Sequence, residues 1–241
     1  MSDLLRRRID PQARAGLRLT LMAVGCVLLA LLVLPIALLV RDNWSPLNHL
    51  DTSVEAAAHR AVLAQSWLLA AARLLTHLGA PLLIDAATVV LLVVLYAAGR
   101  RRSSAYLLTC VAGAYVLSTA GKLAVDRARP IFDDAVSTAR GTSFPSGHAT
   151  GSAAFYAALA IVLIPLVRGQ WRRLLLAAAV VVPVVVAVTR VLLGVHFPSD
   201  VMAGLLLGWG WTAAVTAVFA LWQQDEGRPA DPTTVGVEPA T

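Results

Sequence analysis

Three short stretches of the sequence carry residues of the kind that handle a phosphoryl group. In the first, "KLAVDRARP", Lys122 is followed after six residues by Arg129 and Pro130. The second is "PSGH", Pro145 to His148, and the third is "RVLLGVHFPSD", where Arg190 precedes His196 and, four residues further on, Asp200. A phosphoryl group in transfer spreads negative charge over its outer oxygens, and fixed cations aimed there stabilise that state. Lys122, Arg129 and Arg190 can supply the charge, the arginines through a planar fork that matches phosphate. Ser146 and Gly147 open an apolar run; free N–H groups at a helix start favour an anion, and glycine lets the backbone come close. Asp200 can accept a hydrogen bond from one ring nitrogen of His196, which fixes the tautomer. Pro198, between the two, suits the first turn of a helix. His148 heads the same apolar run as Gly147, where a histidine is costly in lipid unless it has a task.

The elements that hold these residues follow from hydropathy. Of 241 residues, 58% are hydrophobic and 14% charged, and the mean hydropathy is +0.73, values that point to a bilayer as solvent. The net charge of +6, from 20 Lys and Arg against 14 Asp and Glu, does not mark a nucleic-acid partner, because the cations sit in short clusters between apolar runs. Cys26 and Cys110 each fall inside such a run, without the paired spacing of a disulfide or metal site. Runs long enough to cross about 30 Å of hydrocarbon as helices lie at 19–40, 81–98, 104–121, 150–167, 174–193 and 201–222. They are continuous rather than alternating, which argues against sheet. The first follows Arg6, Arg7 and Arg8 but is too long for a signal core and ends in "VRDNWS", so it reads as an uncleaved span.

The segment 61–78 differs, because Ser66, Arg73 and His77, with His59 just upstream, fall on one helical stripe. The expected fold is therefore all-α: a membrane bundle of six transmembrane helices, with an interfacial amphipathic helix between the first and second spans. Residues 1–222 are expected to form one membrane-embedded domain and 223–241 a disordered cytoplasmic tail. Placing Arg6 to Arg8, Arg14, Arg18, Arg100 to Arg102, Arg168, Arg172, Arg173 and Arg228 on one side satisfies the positive-inside tendency and puts both termini in the cytoplasm. All three chemical stretches then share the outer side of the cell membrane, together with the cations that break the rule: Lys122, Arg127, Arg129 and Arg190. Gly204, Gly208 and Gly210 are expected to permit close helix packing, and His49, His59 and His77 to be surface or gate-lining groups. No role is assigned to Asp133 or Asp134.

In order and spacing, the three stretches resemble the signature of the type 2 phosphatidic acid phosphatase superfamily, which includes integral-membrane lipid phosphatases, glucose-6-phosphatases and soluble vanadium haloperoxidases. One departure is Thr189, where the third part often has serine; a hydroxyl is kept. The resemblance implies that His196 is a nucleophile forming a phosphohistidine, oriented by Asp200, and that His148 protonates the departing lipid oxygen and later activates water. Lys122, Arg129, Ser146, Gly147 and Arg190 would bind the phosphoryl group. The scheme calls for no metal and no cofactor, since protein cations take the part that Mg²⁺ plays elsewhere and no carboxylate cluster suited to Mg²⁺ is present. The implied substrate is a lipid phosphate or diphosphate at the outer leaflet: undecaprenyl diphosphate first, with phosphatidylglycerophosphate or phosphatidic acid as the alternative. The motifs hold the phosphoryl group and not the tail. Six spans argue against a haloperoxidase, while a non-catalytic lipid binder or transporter stays open.

Overall fold

An apolar run in lipid has no water for its backbone groups, so each run closes its own hydrogen bonds as a helix. The computed structural model describes residues 11–226, with side chains from 19 to 219, and contains no strand among the described residues. Its helices are α1 (Pro11–Arg41), α2 (Ser45–Ala64), α3 (Ser66–Leu75), α4 (Pro81–Ala97), α5 (Arg101–Val125), α6 (Gly147–Leu163), α7 (Gln170–Leu192) and α8 (Pro198–Glu226). Arg6 to Arg8 and Arg228 lie outside the described residues. So does most of the expected tail, although α8 runs on to Glu226, past its expected end at 222.

Six stretches are long and apolar enough to cross a membrane: Leu19–Arg41, Ser66–Ala97, Arg101–Val125, Gly147–Leu166, Gln170–Leu192 and Pro198–Phe219. All but the second match the expected runs within a few residues. In that second stretch a 3-10 turn at Thr76–Gly79 and an extended Ala80 separate α3 from α4, because Pro81 disfavours helical backbone in the residue before it. The α4 helix alone corresponds to the expected span. The single interfacial helix expected over 61–78 is corrected to two helices, since Gln65 is extended (φ −137°, ψ 99°) and breaks the run. The first of these, α2, starts at Ser45 with a proline in its first turn. Its Asp51, Glu55 and His59 recur every fourth residue and are buried, so α2 is pinned to the bundle by a polar stripe.

The outward faces of α1, α4 and α7 expose Leu31, Val90 and Val181 among many apolar side chains, as a lipid-facing surface requires. Inside, α6 touches α4, α5, α7 and α8, and α1 packs chiefly along α8. Leu107, Cys110, Phe155 and Val215 belong to the largest apolar cluster, while Cys26 is exposed on α1. The α6–α8 seam is built of small residues. A Cβ added at Gly204 would lie 2.8 Å from the Ser146 carbonyl oxygen, and one at Gly208 2.5 Å from that of Thr150. Only glycine admits this approach, and the approach brings the start of α8 against the start of α6, where the Ser146 N–H donates to the Asp200 carbonyl at 3.0 Å.

Candidate active site

Four segments meet at one end of the bundle: the last turn of α5, the loop 126–146, the first turn of α6 and the α7–α8 turn. Lys122 ends α5 and donates from Nζ to the Thr142 carbonyl at 3.0 Å. Arg129 donates from Nη2 to the same carbonyl at 3.0 Å, from Nε to Gly141 O at 2.9 Å and from Nη1 to Val195 O at 2.7 Å. The loop thus wraps its own arginine and ties it to the turn that carries His196. Gly194, at φ 67°, makes that turn, and a left-handed backbone there favours glycine.

His196 is 2% exposed. Its Nδ1 lies 3.5 Å from Asp200 Oδ2, a long contact, and its Nε2 lies 3.1 Å from Arg129 Nη1. A guanidinium only donates, so Nε2 presents its lone pair and the ring proton sits on Nδ1, facing Asp200. Burial pushes the imidazole down to about 4, against the nearby Asp200 carboxylate, which raises it; at 3.5 Å that contact leaves the buried Nδ1 without a hydrogen-bond partner. The ring is therefore neutral at ordinary pH, and the nitrogen that carries a lone pair is Nε2, which accepts from Arg129 until a stronger electrophile takes its place. His148, half-buried in the first turn of α6, lies within electrostatic reach of Arg190, His196 and Arg129.

Arg190, near the end of α7, is 6% exposed. Its Nη1 donates to Thr76 Oγ1 at 3.0 Å, and its Nε is buried without a partner. Ser146 is fully buried and its Oγ also lacks a partner. The Ser146 N–H, expected to face an anion, is taken by Asp200; the unbonded N–H groups of the helix start begin at Gly147. Among the described residues, no group of three or more His, Cys, Asp or Glu is gathered as a metal site requires.

Comparison with known proteins gives this geometry its context. Residues 103–224 match the PAP2 superfamily. The chain belongs to that superfamily. It is 39% identical over 123 residues to the lipid A 1-phosphatase of Rhizobium etli, covering 47% of this chain and 49% of that protein. The match to the Rhizobium johnstonii lipid A 1-phosphatase is 37% identical over the same length and covers 46% of that protein. The matched segment thus spans about half the length of these two relatives. Phosphatidylglycerophosphatase B of Bacillus subtilis is 33% identical over 165 residues, 67% of this chain and 80% of that protein. The crystal structure of a transmembrane PAP2 type phosphatidylglycerolphosphate phosphatase from Bacillus subtilis superposes with a TM-score of 0.70 at 27% identity, covering 83% of this chain and 96% of that one. With its apolar helices and this transmembrane neighbour, the PAP2 chain is a multi-pass membrane protein.

The superfamily signature leaves out a second set of residues around Asp200. This carboxylate is fully buried. Its Oδ1 accepts from Arg127 Nη1 at 2.8 Å, and its Oδ2 accepts from the Phe197 N–H at 2.9 Å and from the Ser143 hydroxyl. Arg127 Nη2 donates in turn to Asp51 Oδ2 at 2.8 Å, and the Ser199 N–H donates to Asp51 Oδ1 at 2.9 Å. In sequence, Arg127 is visible only as one more outer cation, and Asp51, Ser143 and Ser199 are not visible at all. The four-residue spacing of Asp51, Glu55 and His59 is the signal that could have found this inner stripe.

His59, expected to be a surface or gate-lining group, is 4% exposed. Phe132 stacks on its ring at 3.8 Å, and its Nε2 contacts Asp134 Oδ1 at 2.8 Å. Asp134, left without a role, thus ties the loop 126–146 to α2, and the hydrogen bond holds its carboxyl below the usual carboxylate range. Arg73 adds a bond from Nη2 to Val136 O at 2.9 Å, tying the same loop to α3. His49 and His77 are exposed as expected.

Proposed function

We propose that this chain is a lipid phosphatase that works without a metal through a phosphohistidine on His196. The observation that carries the reading is the setting of the His196 ring, whose Nε2 lone pair faces Arg129 while its Nδ1 faces Asp200. A phosphoryl group placed there meets Lys122, Arg129 and Arg190, the unpartnered Ser146 hydroxyl and the N–H groups from Gly147 onward. Nε2 attacks phosphorus, and the bond from phosphorus to the leaving oxygen breaks as His148 gives that oxygen a proton. Asp200 stabilises the charged ring that results. Water then attacks the phosphohistidine, His148 takes a proton from it, and phosphate leaves with His196 restored.

For substrate, the preferred reading is undecaprenyl diphosphate, or another polyprenyl diphosphate, at the outer leaflet, where an outward site could recycle a carrier lipid. A second reading, phosphatidylglycerophosphate, is favoured by the length of the match to Bacillus subtilis phosphatidylglycerophosphatase B. Phosphatidic acid completes the comparison. Detergent-purified protein with EDTA present, given each of these lipids in turn, is expected to release phosphate from one well above the others, with none released by His196→Ala. No turnover of any would return a lipid binder or transporter to the front. The outward orientation is tested separately by Thr138→Cys in the exposed loop: labelling from outside intact cells is expected, and labelling only from the cytoplasmic side would overturn it.

A further inference from the structure

Arg127 stands beside the candidate site but faces away from the phosphoryl position. Its guanidinium makes three bonds at 2.8 Å, to Asp200 Oδ1, Ser199 Oγ and Asp51 Oδ2, and its carbon lies 4.0 Å from the centre of the Phe197 ring. Lys122 and Arg129, by contrast, are held mainly by carbonyl oxygens, which leave their charge uncompensated. Asp51 is fully buried on α2, outside the stretch that matches the superfamily.

A buried carboxylate whose charge goes mainly to a histidine makes that ring strongly basic, and a protonated ring cannot attack phosphorus. Arg127 draws Asp200 charge toward itself. Left alone, such an arginine would compete for the substrate phosphate, and Asp51 prevents this by occupying the other end of the fork. We infer that Arg127, anchored by Asp51, is a positioning residue that sets how much of the Asp200 charge reaches His196. The inference rests on the proposed role of His196.

The variants leave the other charged groups around His196 and Asp200 unaltered: Arg129 from the loop, Arg190 from α7 and His148 from α6 act on His196, Lys122 from the end of α5 acts on Asp200, and Glu55 lies beside Gly194. The test follows the titration of His196 by exchange of its ring C2 hydrogen, read peptide by peptide by mass spectrometry, in wild type, Arg127→Gln, Arg127→Lys and Asp51→Asn. Losing the Arg127 charge leaves Asp200 uncompensated, so the His196 midpoint is expected to rise by about one pH unit or more in Arg127→Gln. Losing the Asp51 charge frees Arg127 to act on Asp200 alone, and the midpoint is expected to fall in Asp51→Asn. Arg127→Lys keeps the charge and is expected to stay within about half a unit of wild type. With dioctanoyl phosphatidic acid as probe, the acid limb of the kcat–pH profile is expected to move up with the His196 midpoint in Arg127→Gln, with KM little changed, because Arg127 does not hold the phosphate.

A structural role alone would loosen the site in both charge-removing variants alike. Shifts in the same direction, or no shift in either, therefore overturn the inference. Should Arg127→Gln fail to fold, the near-isosteric Asp51→Asn decides by itself, and a rise or no change there overturns it. The exchange reading needs no turnover. A wild-type chain inactive on every lipid phosphate sinks the proposed function, while the midpoints still decide this point.

Discussion

The two halves of the site are finished to different degrees. On the Asp200 side both carboxylate oxygens, the Arg127 fork and both Asp51 oxygens have partners. On the opposite side Arg190 Nε and Ser146 Oγ are buried and have none, and His196 Nδ1, at the boundary, has none either. Leaving a buried polar atom without a hydrogen bond costs about 1–3 kcal/mol, so the open half is stable only because the closed half and the α6–α8 seam hold it. The difference separates residues that wait for an anion from residues that fix where it will sit. Substitution in the open half should change chemistry, and substitution in the closed half or the seam should change geometry and stability.

The largest effect is expected at the boundary of the halves. His196→Ala should lower kcat by on the order of 10⁴-fold or more with thermal stability nearly intact, and a variant keeping wild-type turnover would end the distinction. Next comes Arg190→Gln, which removes an open-half cation aimed at transition-state charge. It should reduce kcat/KM by about 10²–10³-fold, and a loss confined to the melting temperature would move Arg190 to the closed half. In the seam, Gly208→Val should destabilise by about 1–3 kcal/mol through overpacking, read as a lower melting temperature in detergent with kcat falling only as α6 and α8 part.

The smallest effect is expected at Glu55, whose carboxyl burial pushes up to about 7 from 4.5, partly offset by His59. A carboxyl raised in the folded state binds its proton more tightly there. Its contribution to stability is therefore complete below the unfolded value and is lost as pH rises through 7. Glu55→Gln mimics the protonated form, so it should flatten the fall in melting temperature between about pH 4.5 and 7 and gain about 1–3 kcal/mol at pH 8. An unchanged slope would mean that Glu55 is not held in the low-dielectric setting the structure gives it.

The open half was legible in the sequence, because its residues lie within a few positions of helix ends: Lys122 on the last turn of α5, Gly147 and His148 on the first turn of α6, Arg190 on the last turn of α7. Helix termini announce themselves through Pro, Gly and the edges of apolar runs. The seam was legible too, since glycines at 204 and 208 repeat at the helical interval that places them on one face. The closed half was hidden for a physical reason. Arg127 finds Asp51 across 76 positions and Ser199 finds it across 148, and no local pattern marks an ion pair made over such separations. The apolar run over 61–78 begins well after the start of α2 at Ser45, and the stripe lies in that earlier, more polar part of the helix. Asp134 was unreadable for the same reason, because its partner His59 lies 75 positions away.

The packing of α1 along α8 has a consequence for how the protein is made. A chain synthesised from its N-terminus delivers α1 before α8, so α1 waits beside a gap until α8 arrives to fill it. His196, in the turn before α8, and Asp200, on its first turn, come with that arrival. A nascent chain that ends within α7 carries Lys122, Arg129 and His148 but not the His196 proposed to attack. The proposed chemistry therefore waits on the same segment that closes the bundle.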